Sequence, residues 1–111
     1  MKIAVFGAAG WLGRAIIHNL DKNHEVLAID YSETSWNNWN DIDPIWEGEV
    51  LYGDITEYSH VEQSLVDVDV VVHAAVYSSR NPGSYDVDDI KPFTINLKGL
   101  WNVLEAAKRQ N

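Results

Sequence analysis

The chain has 111 residues, of which 17 are acidic and 8 are lysine or arginine, so its net charge is −9. This length corresponds to one domain or to part of one. An acidic chain repels polyanions, which argues against nucleic acid or an anionic membrane surface as a partner. Any anionic ligand must therefore be held by local dipoles.

The sequence contains no cysteine, so it offers neither disulfides nor thiolate metal sites. The first predicted strand begins almost at the N-terminus, and no apolar span of about 20 residues follows that could cross a membrane. We therefore expect a soluble, cytoplasmic protein without a charged leader.

The opening segment, residues 2–20, passes from an apolar run into a pattern with helical spacing. Residues 3–6 form a short continuous apolar run, which is typical of a strand covered on both faces. The next apolar residues recur at three- and four-residue intervals and predict one apolar helix face. The residues of this predicted face are Leu12, Ala15, Ile16 and Leu20.

Three glycines, Gly7, Gly10 and Gly13, stand between this strand and helix in the pattern G-x-x-G-x-x-G. A helix N-terminus presents unpaired N–H groups and the positive end of the helix dipole, so it can hold a phosphate without a basic side chain. Glycine permits positive φ and lets a pyrophosphate approach the backbone. A tight connection without a ligand is the alternative, but the position between strand and helix favours a phosphate site.

The second predicted strand, residues 25–30, ends in Asp30, which lies 23 positions after the first glycine. A carboxylate near this spacing accepts hydrogen bonds from the adenosine ribose in a dinucleotide fold, whereas a simple turn aspartate is the alternative. Its charge would repel a 2′-phosphate and so favours NAD over NADP. Arg14, Tyr31 and Ser32 are near enough in sequence to offset that repulsion.

Residues 31–48 show no clear period and predict a long loop with at most one helical turn. The loop carries Trp36, Trp39 and Trp46, whose rings we expect to pin it onto the body of the protein. Stacking on an adenine or contact with a partner is the alternative.

The third predicted strand, residues 49–54, brings Asp54 to its end, where its side chain or the backbone of Ile55 could reach an adenine. A helix is predicted to follow over residues 56–66, with Thr56 as its N-cap. The inner face of this helix is predicted to carry Tyr58, Val61 and Leu65.

The fourth predicted strand, residues 68–75, is rich in β-branched residues and ends in two alanines. Its His73 lies in an apolar run and is predicted to be a hydrogen-bonded core histidine. Residues 76–89 contain turn-forming residues and predict a mobile lip over the crevice. The last helix is predicted to start near residue 88 and to run through Phe93, Leu97, Leu100, Trp101, Leu104 and Ala107.

This order of elements predicts an α/β fold, a truncated Rossmann-like parallel sheet with helices on both faces. Right-handed crossovers give the strand order 3-2-1-4 most simply. The ends of the first and fourth strands would then flank the switch point, where a ligand is expected.

Five landmarks follow one another in a recognisable order: GAAGWLG at 7–13, Asp30, GDI at 53–55, HAA at 73–75 and INLKGLWNVLEAA at 95–107. Together they resemble the short-chain dehydrogenase/reductase superfamily, and within it the extended, NAD-dependent epimerase/dehydratase group. The resemblance covers essentially the whole chain, and it depends on the order of the five landmarks rather than on any one of them.

The resemblance implies a role for each matching residue. The pyrophosphate of NAD would be cradled by Gly7, Gly10, Trp11, Leu12 and Gly13. The adenosine ribose would be bound by Asp30, the adenine by Asp54 and Ile55, and the nicotinamide side by Ala74 and Ala75. Asn96 would support the active site through a backbone kink and water. The parent protein would act on a sugar nucleotide, oxidising and re-reducing one of its carbons during epimerisation or dehydration.

The sequence departs from the family in its catalytic residues. Family members use a Tyr-x-x-x-Lys pair, in which lysine lowers the pKa of a tyrosine that exchanges a proton during hydride transfer. The five tyrosines here are followed four positions later by Ser35, Thr56, Glu62, Asn81 and Asp89. We therefore expect residues 1–111 to be the N-terminal half of the dinucleotide-binding domain, inactive alone. Its uncovered strand edge would favour a homo-oligomer.

Two other classes of protein share some of these features. A receiver domain is also small and acidic, but it needs an acidic cluster after its first strand and a lysine after a fifth strand. Here glycines follow the first strand, and no fifth strand is predicted. A non-catalytic NAD(P)-sensing module would share every binding residue named above, and only turnover by the full-length parent separates it from an enzyme.

Overall fold

The computed structural model of the chain describes residues 1–38, 45–77 and 89–110. The four strands of its sheet are β1 (Lys2–Phe6), β2 (Glu25–Asp30), β3 (Glu49–Tyr52) and β4 (Val70–His73). Each neighbouring pair is parallel, and the strand order is β3-β2-β1-β4. The predicted Rossmann-like order 3-2-1-4 is therefore confirmed.

The helices connect the strands as the crossover pattern requires. Helix α1 (Trp11–Leu20) joins β1 to β2, and α2 (Tyr58–Ser64) joins β3 to β4. A 3-10 turn, Glu33–Asn37, follows β2. The predicted last helix is three consecutive pieces, namely α3 (Lys91–Phe93), a π-helical turn (Thr94–Lys98) and α4 (Gly99–Gln110).

Helices cover both faces of the sheet because alternate side chains of β1 and β2 point to opposite sides. One face joins the sheet to α2 and α4 through Ala4, Phe6, Leu27, Ile29, Val61, Leu65, Val103 and Ala106. The other face joins it to α1 through Ile3, Val5, Val26, Ala28, Ala8 and Ile17. The prediction of a sheet covered on both sides is confirmed.

Trp36 and Trp46 pack against the α1 side of the core. They hold the long segment after β2 onto the sheet, as predicted. Trp39 and most of the predicted lip, residues 78–88, lie outside the described residues. Within the described residues, no helix is long and apolar enough to cross a membrane.

The buried face of α1 agrees only in part with the predicted one, since Ile16 and Leu20 pack against the core as predicted but the other two residues do not. Ile17 is fully buried and Gly13 and Arg14 are also buried, whereas Leu12 is 65% exposed and Ala15 is exposed. The helix meets the sheet along a line through Gly13 and Ile17, because only a glycine allows such a close approach near the turn. A search for apolar residues at helical spacing does not identify this contact, since it counts neither a glycine nor the aliphatic part of an arginine side chain as apolar.

The second helix also begins later than predicted. Its N-cap is Glu57, which makes no capping hydrogen bond through its side chain. Thr56 instead donates both its N–H and its hydroxyl to Oδ1 of Asp54, at 2.9 and 2.7 Å. The prediction of Thr56 as N-cap is therefore wrong, because this residue belongs to the turn that follows β3.

The new assignment of the α1 face can be tested by two truncations. Ile17→Ala should lower the free energy of unfolding by about 2–5 kcal/mol, because it leaves a cavity between α1 and the sheet. Leu12→Ala truncates an aliphatic side chain that is already exposed to solvent. It should lower the free energy of unfolding by at most about 0.5 kcal/mol. Urea denaturation of both variants measures the difference. Equal losses would contradict the assigned face.

Candidate dinucleotide-binding site

The glycine turn after β1 is fixed between the neighbouring strands. Gly7 has φ +79°, and a Cβ built on it would lie 2.6 Å from the Ala74 carbonyl carbon and the Ala75 nitrogen. The N–H groups of Gly7 and Ala8 donate to the Ile29 carbonyl at 2.9 and 3.2 Å. Any side chain at Gly7 would therefore push the turn away from the end of β4.

The other two glycines have different surroundings. A Cβ at Gly13 would overlap the Gly7 carbonyl oxygen, so the first turn of α1 packs directly on the backbone of the glycine turn. Among the residues that the structure describes, a Cβ at Gly10 would meet only that same oxygen within 4 Å, at 3.3 Å. Gly10 is the N-cap of α1 and makes no side-chain cap, so the helix start opens where a ligand could approach.

Asp30 lies at the end of β2 with its carboxylate against the glycine turn. Its Oδ2 accepts a hydrogen bond from the Ala9 N–H at 2.8 Å, and its Oδ1 accepts one from the Tyr31 N–H at 2.7 Å. The side chain is partly exposed. The structure thus places the predicted ribose-binding carboxylate next to the predicted phosphate-binding turn.

Arg14 is bound by backbone carbonyls on the other side of the same turn. Its Nε donates to the Ala9 carbonyl at 2.9 Å, and its Nη2 donates to the carbonyls of Trp36, at 2.6 Å, and Asn38. Its guanidinium also lies 5.0 Å from the centre of the Trp36 ring. Because Arg14 is 4% exposed and makes these bonds, it ties the loop after β2 to the glycine turn. This role was not predicted from the sequence.

The turn after β3 lies beside the end of β2, since the Gly53 N–H donates to the Asp30 carbonyl at 3.0 Å. Oδ1 of Asp54 accepts the two hydrogen bonds from Thr56 described above. The His60 ring occupies the space where a Cβ on Gly53 would lie. Burial lowers the pKa of His60, and the nearby Asp54 carboxylate opposes that shift.

His73 ends β4, and its environment differs from the prediction. It is half-buried, and its Nδ1 has no hydrogen-bond partner among the described residues. Burial lowers its pKa. The prediction of a hydrogen-bonded core histidine is therefore wrong. In the described sheet β4 is an edge strand, so the ring faces a cavity of about 280 Å³ beneath α4 rather than a packed layer.

Asn96 acts on the segment that follows β4. It lies in the π-helical turn Thr94–Lys98 of the last helix. Its Oδ1 accepts a hydrogen bond from the Tyr77 N–H at 2.8 Å, and its Nδ2 donates to the Tyr77 carbonyl at 3.1 Å. The side-chain amide of Asn96 thus binds both the N–H and the carbonyl of Tyr77, two residues beyond Ala75.

Most of the predicted site residues come together at the carboxyl ends of the strands. There the glycine turn adjoins Asp30 on one side and the alanines after β4 on the other. A larger open depression, of about 770 Å³, lies at the opposite end of the sheet between Lys2, His24 and Asp69. Ligands of open α/β sheets bind outside the carboxyl ends, at the point where the strand order reverses. The glycine turn occupies that point here, between β1 and β4.

A parallel sheet of this order, with a glycine turn leading into a helix at its switch point, defines a Rossmann-like α/β protein. The model of the NAD dependent epimerase/dehydratase family matches residues 3–111. The chain belongs to that family.

Individual relatives agree with this assignment. UDP-glucuronic acid decarboxylase 3 of Arabidopsis thaliana is 30% identical over 112 residues, which cover 98% of this chain and 31% of that protein. An epimerase from Methanothermobacter thermautotrophicus is 29% identical, with a TM-score of 0.80 over 99% of this chain and 32% of its own. UDP-glucose 4-epimerase of Thermus thermophilus, solved in complex with NAD, is 26% identical, with a TM-score of 0.77 over 99% of this chain and 34% of its own. This chain therefore spans about a third of the length of each.

The different surroundings of two glycines generate a prediction. Gly13→Ala should lower the free energy of unfolding by about 1–3 kcal/mol or more, because the new methyl group overlaps the Gly7 carbonyl. Gly10→Ala should cost at most about 1 kcal/mol, because alanine is only a poorer N-cap than glycine. Chemical denaturation of the two variants measures both values. A loss at Gly10 as large as that at Gly13 would contradict the described packing.

Proposed function

We propose that residues 1–111 form the NAD-binding portion of an oxidoreductase that resembles nucleotide-sugar epimerases and dehydratases. The observation that carries this proposal is the start of α1, where the N-cap Gly10 places no side chain over the helix N-terminus, between the ends of β1 and β4. The family assignment and the NAD complex of the Thermus relative support the same cofactor.

The pyrophosphate would be held by backbone rather than by basic side chains. The first-turn N–H groups of Trp11, Leu12 and Gly13 have no acceptor within their own helix, and the helix dipole adds positive potential there. Gly7 and Gly10 leave room for the phosphates to approach. This arrangement suits a chain whose net charge of −9 would otherwise repel an anionic ligand.

The two ends of the cofactor would be bound on either side of the glycine turn. Asp30 would accept hydrogen bonds from the hydroxyls of the adenosine ribose, and the turn of Asp54 and Ile55 would contact the adenine. Ala74 and Ala75 would border the nicotinamide, in a segment that Asn96 holds in place. When bound, NAD would supply a hydride acceptor at that end of the site.

NAD is favoured over NADP because Asp30 is an anion at the position of the ribose. The Arg14 guanidinium, which could have neutralised a 2′-phosphate, is directed instead at the carbonyls of Ala9, Trp36 and Asn38. A 2′-phosphate would therefore approach a carboxylate that Arg14 does not neutralise.

The catalytic and substrate-binding residues are proposed to lie outside these 111 residues. The sequence has no Tyr-x-x-x-Lys pair, and the chain spans about a third of the length of the relatives named above. The isolated chain is therefore proposed to bind NAD without turnover, and its sugar-nucleotide substrate to be contacted mainly by the rest of the parent. Substrate-dependent formation of NADH by the isolated chain would contradict this.

Calorimetric titration with NAD and with NADP tests the binding proposal. The wild-type chain should bind NAD more tightly, and Asp30→Asn should weaken NAD and reduce its advantage over NADP, because the amide keeps an acceptor for Ala9 but loses the charge. Asp21→Asn removes the same charge at the opposite, exposed end of α1 and should leave both affinities unchanged. Absence of binding by the folded wild type, or an unchanged preference in Asp30→Asn, would contradict the proposal.

The outer side of the last helix carries an apolar stripe of Phe93, Leu97, Trp101 and Leu104, each more than half exposed. We propose that the rest of the parent protein covers this stripe, and that the isolated chain self-associates through it.

Sedimentation at increasing protein concentration tests this. Trp101→Lys should shift the chain towards monomer, because a charge in the stripe opposes its burial. Trp11 is equally exposed, at 64% against 66%, but lies outside the stripe, so Trp11→Lys should not shift the distribution. A monomeric wild type at all concentrations would refute self-association.

A further inference from the structure

Helix α4 contacts the turn after β3 through a buried amide. Asn102 is 3% exposed, on the face of α4 that packs against the sheet and α2. Its Nδ2 donates a hydrogen bond to the Ile55 carbonyl at 2.9 Å, across 47 positions of sequence. A polar side chain in such a place is retained only where it is hydrogen-bonded, so this contact accounts for the asparagine.

Gly99 lies three residues before Asn102 in α4 and contacts the same turn. A Cβ at Gly99 would lie 2.8 Å from Cγ2 of Ile55, so the absence of a side chain lets Ile55 pack directly on the helix. Residues three apart share one face of a helix, which places Gly99 and Asn102 side by side. The helix therefore fixes both the side chain and the carbonyl of Ile55.

The peptide unit between Ile55 and Thr56 is bonded on both edges. Its carbonyl accepts from Asn102, and its N–H donates to Oδ1 of Asp54. Loss of the Asn102 bond would release the carbonyl edge of this peptide. Its rotation would move the Thr56 N–H and with it the Asp54 carboxylate, and it would leave the backbone at Ile55 without its fixed neighbour. The Asp54 carboxylate and the adjoining Ile55 N–H are the two groups assigned to the adenine.

We propose that Asn102 and Gly99 are positioning residues that set the adenine specificity of the site by fixing the Asp54–Ile55 turn. This inference rests on the proposed NAD-binding function. The same helical element acts at the other end of the site, because Asn96 stands three positions before Gly99 and holds Tyr77 after β4. One helix thus braces the segments that follow β3 and β4.

The test compares NAD with nicotinamide hypoxanthine dinucleotide, in which an oxo group and a ring N–H replace the adenine amino group and its ring acceptor. The wild-type chain should prefer NAD, since a carboxylate accepts from the amino group and a backbone N–H donates to the ring nitrogen. Asn102→Leu keeps a similar volume without the donor. It should reduce the ratio of the two affinities by about tenfold, which corresponds to one good hydrogen bond.

Gln110→Leu is the matched control. Gln110 lies on the same helix and donates through Nε2 to a backbone carbonyl of α2, that of Glu62, at 3.2 Å. This contact is remote from the turn after β3, so the affinity ratio should equal that of the wild type. A general effect of losing a hydrogen bond from an α4 side chain to a backbone carbonyl would change both variants alike.

Gly99→Ala approaches the same turn from a second direction. The added methyl group pushes on the Ile55 side chain, whereas the hydrogen-bond donor of Asn102 is kept. Alanine is also a better helix former than glycine, so the helix itself is not weakened. Gly99→Ala should lower the affinity ratio as Asn102→Leu does, and it decides the matter if Asn102→Leu does not fold. If a folded variant keeps the wild-type ratio of the two affinities, even because both dinucleotides bind more weakly by the same factor, this inference is overturned and the proposed function is not. Failure of the folded wild type to bind NAD would overturn the proposed function as well.

Discussion

The rest of the site depends on the close contact between the Gly7 carbonyl and the backbone of Gly13. This contact sets the start of α1 directly on the end of β1, while Gly7 itself abuts Ala74 and Ala75 at the end of β4. Any side chain at these two glycines would separate the helix from the sheet. Because the contact is made by backbone alone, neither Gly7 nor Gly13 places a side chain between the helix N-terminus and the switch point.

The peptide groups around Ala9 connect that turn to the rest of the pocket. The Ala9 N–H is bonded to Asp30, and its carbonyl is bonded to Arg14, which also holds the backbone of Trp36. One anion and one cation therefore brace the same short segment, and only the anion lies partly exposed. In the proposed function, this site would attract phosphate through dipoles and would discriminate at the ribose through a single carboxylate. This is consistent with NAD use by a strongly acidic chain.

The strand order, and with it the position of the switch point between β1 and β4, was predictable from the sequence, because it follows from local patterns and from the handedness of crossovers. Strand β2 was predicted with its observed limits, since polar residues on both sides of an apolar run mark where the strand begins and ends. The buried face of α1, the π-helical turn around Asn96 and the contact of Asn102 were not predictable in this way. Each depends on contacts between segments distant in sequence, such as the 47 positions between Ile55 and Asn102.

The central claim is that the first turn of α1 binds the pyrophosphate of NAD. Its most direct test is a titration of the isotope-labelled chain with NAD, followed through the backbone amide resonances. The account predicts that the largest shifts occur at Trp11, Leu12 and Gly13, with smaller ones near Asp30 and Ile55 and none at His24. Saturable binding that leaves the amides of Trp11 to Gly13 unshifted would contradict it.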